Sequence, residues 1–341
     1  MPLVRPWNRF WFSPVSARPL GAFRIVFGLI AFVNYALLWP QADLWLSDAG
    51  WLQGPEAGQM AGMLRLSPLI YVQDPLTVRV VLGLAMGSAL LLAVGWRTRV
   101  VSVVFYLLAL SIHHRNLLTC AGPDAVLMNF AFLLMFCPSG AAFSLDARRR
   151  ARRRGTAAEP LILPWAQRLM QLQVSLIYLA TALYKGAGAS WADGTALHLV
   201  LSNTSFRRYT FGLLEGPVEL INLLTYSTLL LEFALPFLLW FRATRPFVIA
   251  AGVALHVGIG LTVNIPIFGE LMIASYLLFV SPQELQALLR ALDPRRLRAD
   301  RGRRRVSEVP GRVDGPSPLP APHFPGVGAE EEEPAAERLR S

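Results

Sequence analysis

Eight apolar segments, most of them as long as a membrane-spanning helix, constrain this chain more than any other feature. A transmembrane helix needs about 20 predominantly apolar residues. A soluble domain of 341 residues would bury a sizeable core without so many such runs, and 54% hydrophobic against 16% charged residues is typical of an integral membrane protein. We therefore predict an all-α fold, a polytopic membrane helix bundle. The segments comprise residues 20–40, 75–95, 98–118, 123–143, 165–187, 217–241, 245–264 and 266–281.

The arginines fall in every second connection between these segments. They concentrate at residues 97–99, 148–154 and 290–305, and they outnumber Arg115 and residues 207–208 on the other side. The positive-inside rule then places both termini in the cytoplasm, with eight crossings of the cell membrane. The net charge of +10 is explained by this topology and by contacts with membrane lipids, so we expect no nucleic-acid partner.

Changes in composition divide the chain into four parts. We expect an interfacial N-terminal segment at residues 1–17, because its aromatic residues and prolines do not form the apolar core of a signal peptide. A transmembrane domain at residues 18–282 is followed by a basic cytoplasmic segment at residues 283–308. Residues 309–341 are proline-rich, end near an acidic run and show no apolar periodicity, which predicts a disordered tail.

Lys185 is the only lysine in the chain and lies at the end of the fifth apolar segment. A desolvated lysine can lose its proton and act as a base or nucleophile, whereas arginine cannot. An arginine-rich chain can also avoid lysine through codon bias, and a lysine at the end of a span can snorkel to the interface. A catalytic and a structural interpretation of Lys185 therefore both stay open.

The same segment carries a polar stripe that ends at Lys185. Spacings of three and four residues put one set of side chains on a single helix face, which should point to other helices or to a cavity. For the first two members, hydrogen bonds between helices are the favoured interpretation. Tyr178 and Thr181 are candidate cavity-lining residues. The stripe consists of Gln171, Ser175, Tyr178, Thr181 or Ala182, and Lys185.

Two ionisable residues lie well inside the sixth and seventh segments. Glu232 follows a leucine run, where a carboxylate costs about 2.5–3.5 kcal/mol unless it is paired or protonated. His256 lies between Gly252 and Gly260, which would let another helix approach that face closely. A structural contact between Glu232 and His256 and a proton-handling or substrate-lining site are both open. In either case we expect the two side chains to face each other or one shared cavity.

Further candidates lie in the connections at the predicted outer face. Trp191 and Asp193 follow Lys185 within a long connection, and connections of that length are usually functional. His114 ends the third segment and Asp124 opens the fourth, where a carboxylate also suits the start of a helix. His113 and His114 are consecutive and point to different faces, so we predict no metal site.

The order of several short motifs is more specific than any one of them. They are Arg18–Gly28, Ser47–Leu52, Gly122–Asp124, Ser139–Asp146, Tyr178 with Lys185 and Trp191-x-Asp193-Gly194, Glu232 after leucines, and His256 twelve residues before Phe268. In this order the set resembles the horizontally transferred transmembrane domain (HTTM) family, the bacterial relatives of vitamin K-dependent γ-carboxylase.

The resemblance implies a chemistry. In the carboxylase, the lysine matching Lys185 is implicated as an amine base towards reduced vitamin K. The resulting oxidised, strongly basic species then abstracts a glutamate γ-proton for carboxylation by carbon dioxide. The resemblance implies a reduced quinone as cofactor, no metal, Lys185 as catalytic base, and His256 and Glu232 as supporting catalytic residues. The substrate would be a secreted peptide.

Two departures from the carboxylase keep a second function open. Pro123 stands where the carboxylase has a histidine, and only the basic segment and tail follow the membrane part, where the carboxylase has a large luminal domain. Family resemblance also implies an alternative function, because fold does not fix function. In that alternative, the chain is a non-catalytic membrane partner in the maturation or export of a secreted peptide.

Overall fold

The computed structural model describes residues 4–51, 67–155 and 159–292. Most of the predicted basic segment, the whole predicted tail and Leu52 at the end of one motif lie outside the described residues. The chain divides into two compact units, residues 1–289 and residues 290–341, and of the second unit residues 290–292 are described. The predicted division of the chain into four parts stays a prediction.

Helices dominate the described residues, which confirms the all-α class. In the part of the chain that the structure describes, one short antiparallel pair joins β1 (Val15–Ser16) to β2 (Leu161–Ile162). The helices are α1 (Val4–Phe12), α2 (Arg18–Leu38), α3 (Ala42–Leu46), α4 (Pro75–Val94), α5 (Thr98–Arg115), α6 (Gly122–Phe136), α7 (Leu145–Arg154), α8 (Trp165–Gly186), α9 (Ala189–Ala192), α10 (Ala196–Ser202), α11 (Val218–Leu238), α12 (Arg245–Thr262), α13 (Phe268–Ser275) and α14 (Pro282–Ala291).

Four helical stretches of the described chain are long and apolar enough to cross a membrane. Each of the eight predicted segments contains a helix, but α5 and α8 are more polar than these four, and α6 and α13 are shorter. The count of eight crossings therefore stays a prediction. The four stretches are Arg18–Leu46, Pro75–Val94, Val218–Leu238 and Arg245–Thr262.

Small residues let α2 and α4 pack closely. A Cβ atom added to Gly28 would lie 2.7 Å from the carbonyl oxygen of Ala89 and 2.8 Å from the amide nitrogen of Ala93. Spanning helices gain little from the hydrophobic effect against lipid, so close backbone approach of this kind supplies much of their packing energy. Aromatic rings fill the space beside this contact, with Phe27 meeting Phe105 edge to face at 5.9 Å between ring centroids.

Arg24 is a fully buried arginine on α2. Its guanidinium donates to the carbonyl oxygens of Leu92, of Ala93 at 2.8 Å, of Phe143 at 2.7 Å and of Ser139 at 3.2 Å. The first two carbonyls belong to the last turn of α4, where carbonyl groups lack the amide partner that the helix would supply four residues later. The Leu92 carbonyl also accepts a hydrogen bond from the Gly95 amide at 3.1 Å. One side chain thus caps α4 and holds the loop that follows α6.

Arg115 is the second fully buried arginine, at the end of α5. Its Nε donates to the carbonyl oxygen of Leu46 at 2.9 Å, and its guanidinium donates to Gln73 Oε1 at 3.2 Å. The neighbouring Asn116 donates to the carbonyl oxygen of Trp45 at 2.9 Å. By sequence alone, Arg115 counts as a charge on the outer side, against the positive-inside rule. In the structure its side chain is buried and links α3 to α5.

Replacing Arg24 tests its structural role. Arg24→Met would remove the guanidinium donor from four carbonyls, three of them in buried hydrogen bonds, so we expect a free energy of unfolding lower by about 3 kcal/mol. Arg149→Met is the matched control, because Arg149 is an exposed arginine on α7 and should change stability by no more than about 0.5 kcal/mol. Thermal unfolding of the purified variants in detergent measures both. Equal losses would contradict the assignment.

Candidate functional site

Lys185 and Glu232 form an ion pair between α8 and α11. Lys185 Nζ lies 2.6 Å from Glu232 Oε1 and 2.7 Å from Oε2. The carboxylate side chain is 7% exposed and the lysine side chain 27% exposed. An unpaired carboxylate inside a span would be costly, so the lysine explains how Glu232 is accommodated.

The ring of Trp191 covers another side of the ammonium group. Lys185 Nζ lies 4.9 Å from the ring centroid, within the range of a cation–π interaction. Trp191 is carried by the short helix α9, which Tyr226 anchors to α11 through a 3.0 Å hydrogen bond to the carbonyl oxygen of Ala192. Gly194 follows at φ +81°, a left-handed conformation that suits glycine. The Trp-x-Asp-Gly motif therefore serves to place an aromatic face on Lys185.

A buried hydrogen-bonded chain lies on the same face of α8. The Tyr178 hydroxyl is 2.6 Å from His256 Nε2 and 2.6 Å from the Tyr276 hydroxyl. Among the described residues, none forms a hydrogen bond with the buried His256 Nδ1. Tyr276 is missing from the sequence-based candidates, although a tyrosine in an apolar segment requires a polar partner and could have been flagged for that reason.

Two glycines make room for this chain. A Cβ atom on Gly252 would overlap the Tyr276 hydroxyl, and one on Gly269 would lie 3.0 Å from the carbonyl oxygen of His256. Around Gly260, by contrast, no described atom lies within 4 Å of the added Cβ. The expectation that Gly252 and Gly260 both admit a close neighbour thus holds for Gly252 and is wrong for Gly260 in the described structure.

Glu232 and His256 are both buried, at 5% and 3% exposure, and both meet one face of α8. Glu232 reaches that face at Lys185 and His256 reaches it at Tyr178, seven residues or two turns apart. The direct Glu232–His256 contact considered from the sequence is replaced by these two pairings. The structure therefore brings five of the candidate residues into two adjacent clusters, Lys185 with Glu232 and Trp191, and Tyr178 with His256.

Thr181 and Asp193 stay outside these clusters. Thr181 is exposed and donates to the carbonyl oxygen of Ile177 in its own helix at 2.8 Å, so the polar stripe passes through the buried Ala182 instead. The exposed Asp193 accepts hydrogen bonds from the Thr195 hydroxyl at 2.6 Å and amide at 3.0 Å. These hydrogen bonds from Thr195 lower the pKa of Asp193. Both side chains serve their local backbone.

The first two members of the polar stripe join helices, as the sequence suggests. Gln171 donates to the carbonyl oxygen of Leu278 at 2.7 Å. Ser175 donates to the carbonyl oxygen of Pro236 at 3.3 Å and accepts a hydrogen bond from the indole of Trp240 at 3.1 Å. The structural interpretation of this part of the stripe is confirmed.

Asp124 lies in a second polar cluster, formed by α2, α5 and α6. His113 Nδ1 is 3.6 Å from Asp124 Oδ1, and His113 Nε2 is 3.4 Å from the Tyr35 hydroxyl. Asp124 also accepts a hydrogen bond from the Ala121 amide at 2.8 Å, which confirms its role at the start of α6. The histidine beside Asp124 is His113, and the lining candidate His114 is half-buried.

The Lys185 clusters combine groups that can move protons. The Lys185 ammonium donates a hydrogen bond to the Glu232 carboxylate. In the adjacent cluster, the Tyr178 phenol bridges the imidazole of His256 and the phenol of Tyr276. Such connected donors and acceptors can pass a proton along the chain. Within residues 4–51, 67–155 and 159–292, no group of three His, Cys, Asp or Glu side chains could hold a metal ion.

Comparison with known proteins adds a family and a distant relative. The HTTM domain matches residues 12–283. The chain is similar to sporulation-delaying protein SdpB of Bacillus subtilis (strain 168), with 24% identity over 207 residues, covering 56% of this chain and 61% of SdpB. The match thus spans about three fifths of the relative's length. No solved structure matches the chain.

Two alanine substitutions on α12 test the packing around the tyrosines. Gly252→Ala should push Tyr276 away from Tyr178 and lower the free energy of unfolding by about 1–3 kcal/mol, as overpacking of a filled site does. Gly260→Ala, in open space on the same helix, should be neutral or stabilising by up to about 1 kcal/mol, because alanine favours helix over glycine. Thermal unfolding in detergent checks both, and equal effects would argue against close packing at Gly252.

Proposed function

This chain belongs to the HTTM domain family, and we propose that it is a multi-pass membrane enzyme with carboxylase-like chemistry. In this proposal Lys185 is the base, a quinol-type lipid is the cofactor and a secreted peptide is the substrate. The observation that carries the proposal is the position of the lone lysine, held between a buried carboxylate and an aromatic ring. Costly ionisable groups inside a span are retained for function more often than for packing.

The ion pair supports a base role for Lys185. A base must be neutral before it accepts a proton, and Glu232 is within hydrogen-bonding distance to take the proton from Nζ. The lysine side chain is also the more exposed member of the pair, so a reacting group can reach the amine while the carboxylate stays covered. Glu232 thus acts as a positioning and proton-accepting partner of Lys185.

His256 supports the site from one side. Its Nε2 is occupied by Tyr178, which in turn contacts Tyr276. Its buried Nδ1 has no partner among the described residues, and in this proposal a substrate or cofactor group supplies one. The imidazole and the two phenols provide a path by which a proton can enter or leave the protein interior.

The residues fit a reduced quinone of the vitamin K type. Trp191 offers an aromatic face and Lys185 an amine to a flat ring that carries hydroxyl groups, and the Nδ1 of His256, unpartnered among the described residues, lies in the adjacent cluster. When bound, such a quinol supplies acidic hydroxyl groups and two-electron reducing power. Lys185 would hold the hydroxyl proton and Trp191 would orient the ring.

A non-catalytic role is the second candidate. The Lys185–Glu232 pair links α8 to α11 and can be explained as a structural connection between two helices. SdpB, the relative, is named for delaying sporulation and not for an enzymatic reaction. In this alternative, the protein is a membrane partner in the maturation or export of a secreted peptide.

Lys185→Arg separates the two functions. Arginine can pair with Glu232 through two hydrogen bonds but cannot lose its proton. We expect normal abundance and thermal stability but a loss of activity of about a hundredfold or more, as for a missing general base. Activity is measured as the ability to restore the phenotype of a chromosomal deletion, with membrane abundance measured in parallel.

Tyr184→Phe is the control for this experiment, since Tyr184 is adjacent to Lys185 and 85% exposed. It should change neither abundance nor activity. Full activity of Lys185→Arg would identify the ion pair as structural and support the non-catalytic role. Lys185→Met is a second test. If it lowers abundance while Lys185→Arg retains both abundance and activity, the ion pair has a structural role.

We further propose eight crossings of the plasma membrane with both termini in the cytoplasm. The alternating arginine-rich connections support this topology. It places Lys185 near the outer face, where a secreted substrate is accessible.

Cysteine labelling tests the orientation. A cysteine introduced at Ala49 should react with an impermeant maleimide in intact cells, whereas one at Ala151 should react only after the cells are opened; both positions are exposed. The half-buried Cys120 is replaced by serine in both variants so that the introduced thiol is the one that reports. The reverse labelling pattern would overturn the orientation.

A further inference from the structure

A large cavity lies among the connections that carry the arginines. It has a volume of about 1070 Å³ and is formed where the α4–α5 turn, the loop after α6, helix α7 and strand β2 meet the start of α2. This volume is at the upper end of the range for small-molecule sites. Because the cavity adjoins the ends of apolar helices, it lies at the depth of the bilayer surface.

Six arginines line this cavity with two carboxylates. They are Arg18, Arg97, Arg99, Arg148, Arg150 and Arg154, with Asp146 and Glu159. Both carboxylates are already engaged: Glu159 with Arg18 at 2.5 Å, and Asp146 with the amides of Arg97 at 2.9 Å and Thr98 at 2.7 Å. The cavity therefore carries an excess of positive charge.

Asp146 holds the turn before α5 through hydrogen bonds from Arg97 and Thr98. Partial burial alone would raise its pKa, but the hydrogen bonds from Thr98 and Arg97 outweigh burial, so the pKa of Asp146 is lowered. Its carboxylate is held at the turn before α5 and also interacts with Arg150, but the six lining arginines still outnumber the two carboxylates. Within the described ranges, the side chains of Arg99, Arg148 and Arg154 have no ion-pair or hydrogen-bond partner.

Two lining residues have a strained backbone. Arg97 has φ 43° and Phe143 has φ 49°, a left-handed region that costs free energy for residues other than glycine. Hydrogen bonds maintain both conformations. The Arg97 amide donates to Asp146, and the Phe143 carbonyl oxygen accepts from Arg24. Strain that the surroundings maintain concentrates at ligand sites.

The rim of the cavity is apolar. Phe143 is 44% exposed, and Val100 and Leu161 are each 61% exposed. A free anion would use the arginines alone, whereas a phospholipid would also place its acyl chains along these side chains. Arginine recognises phosphate through two parallel hydrogen bonds, and basic pockets at the ends of spanning helices suit anionic headgroups.

We infer that this arginine-lined cavity is a specific site for the headgroup of an anionic phospholipid, with the acyl chains lying against Phe143, Val100 and Leu161. Arg99, Arg148 and Arg154 bind the phosphate. The site is independent of the chemistry at Lys185 and ties the arginine-rich connections to the bilayer surface.

The experiment compares two pairs of substitutions on α7. Arg148→Gln/Arg154→Gln removes two cavity arginines, while Arg149→Gln/Arg153→Gln removes the same charge from positions on the same helix that do not line the cavity. Binding of phosphatidylglycerol to the detergent-solubilised, full-length protein is measured by native mass spectrometry. We expect roughly a thirtyfold loss of affinity for the cavity pair and less than a threefold loss for the control pair.

Further arms define the ligand. Phosphatidylcholine should be retained far more weakly than phosphatidylglycerol, and millimolar inorganic phosphate should not displace the bound lipid. Unfolding temperatures without added lipid should be equal for both pairs, which excludes misfolding as the cause. Equal losses in the two pairs, equal retention of both lipids, or displacement by phosphate would each overturn the proposal; the last would identify a site for a free anion.

Discussion

A polar group inside an apolar helix bundle must find its partner within the protein, and this requirement organises the structure. Water is absent from the hydrocarbon region, so each unsatisfied donor, acceptor or charge there costs several kcal/mol. Arg24 meets the requirement with four carbonyl oxygens and Glu232 meets it with Lys185. The helices that supply these partners are thereby fixed relative to one another.

The same requirement shapes the candidate site around Lys185. Lys185 and Glu232 neutralise each other between α8 and α11. Two turns away along α8, Tyr178 bridges a histidine and a second tyrosine. Gly252 leaves room for the Tyr276 ring, and the Trp191 ring packs over the Lys185 ammonium, so packing holds these groups in place. A site built on helices in this way is positioned more rigidly than one built on loops, which suits proton transfer over hydrogen-bond distances.

Arginine serves two different purposes in this chain. Arg24 and Arg115 are fully buried and donate to the ends of helices and to loops. Arg148, Arg150 and Arg154 of α7, with Arg97 and Arg99 at the start of α5, are exposed and line a cavity instead. Composition alone gives both kinds the same interpretation, because a count of charges does not reveal which ones have carbonyl partners.

The sequence by itself determined the helical class, the positions of the helices and the identity of the residues that are costly in a membrane. These follow from local properties, namely apolar length, helical period and the price of a buried charge. Tertiary structure alone decided the partners: Lys185 for Glu232, Tyr178 and Tyr276 around His256, and His113 for Asp124. These partners lie 11 to 98 residues apart and meet through helix packing, which no local pattern encodes.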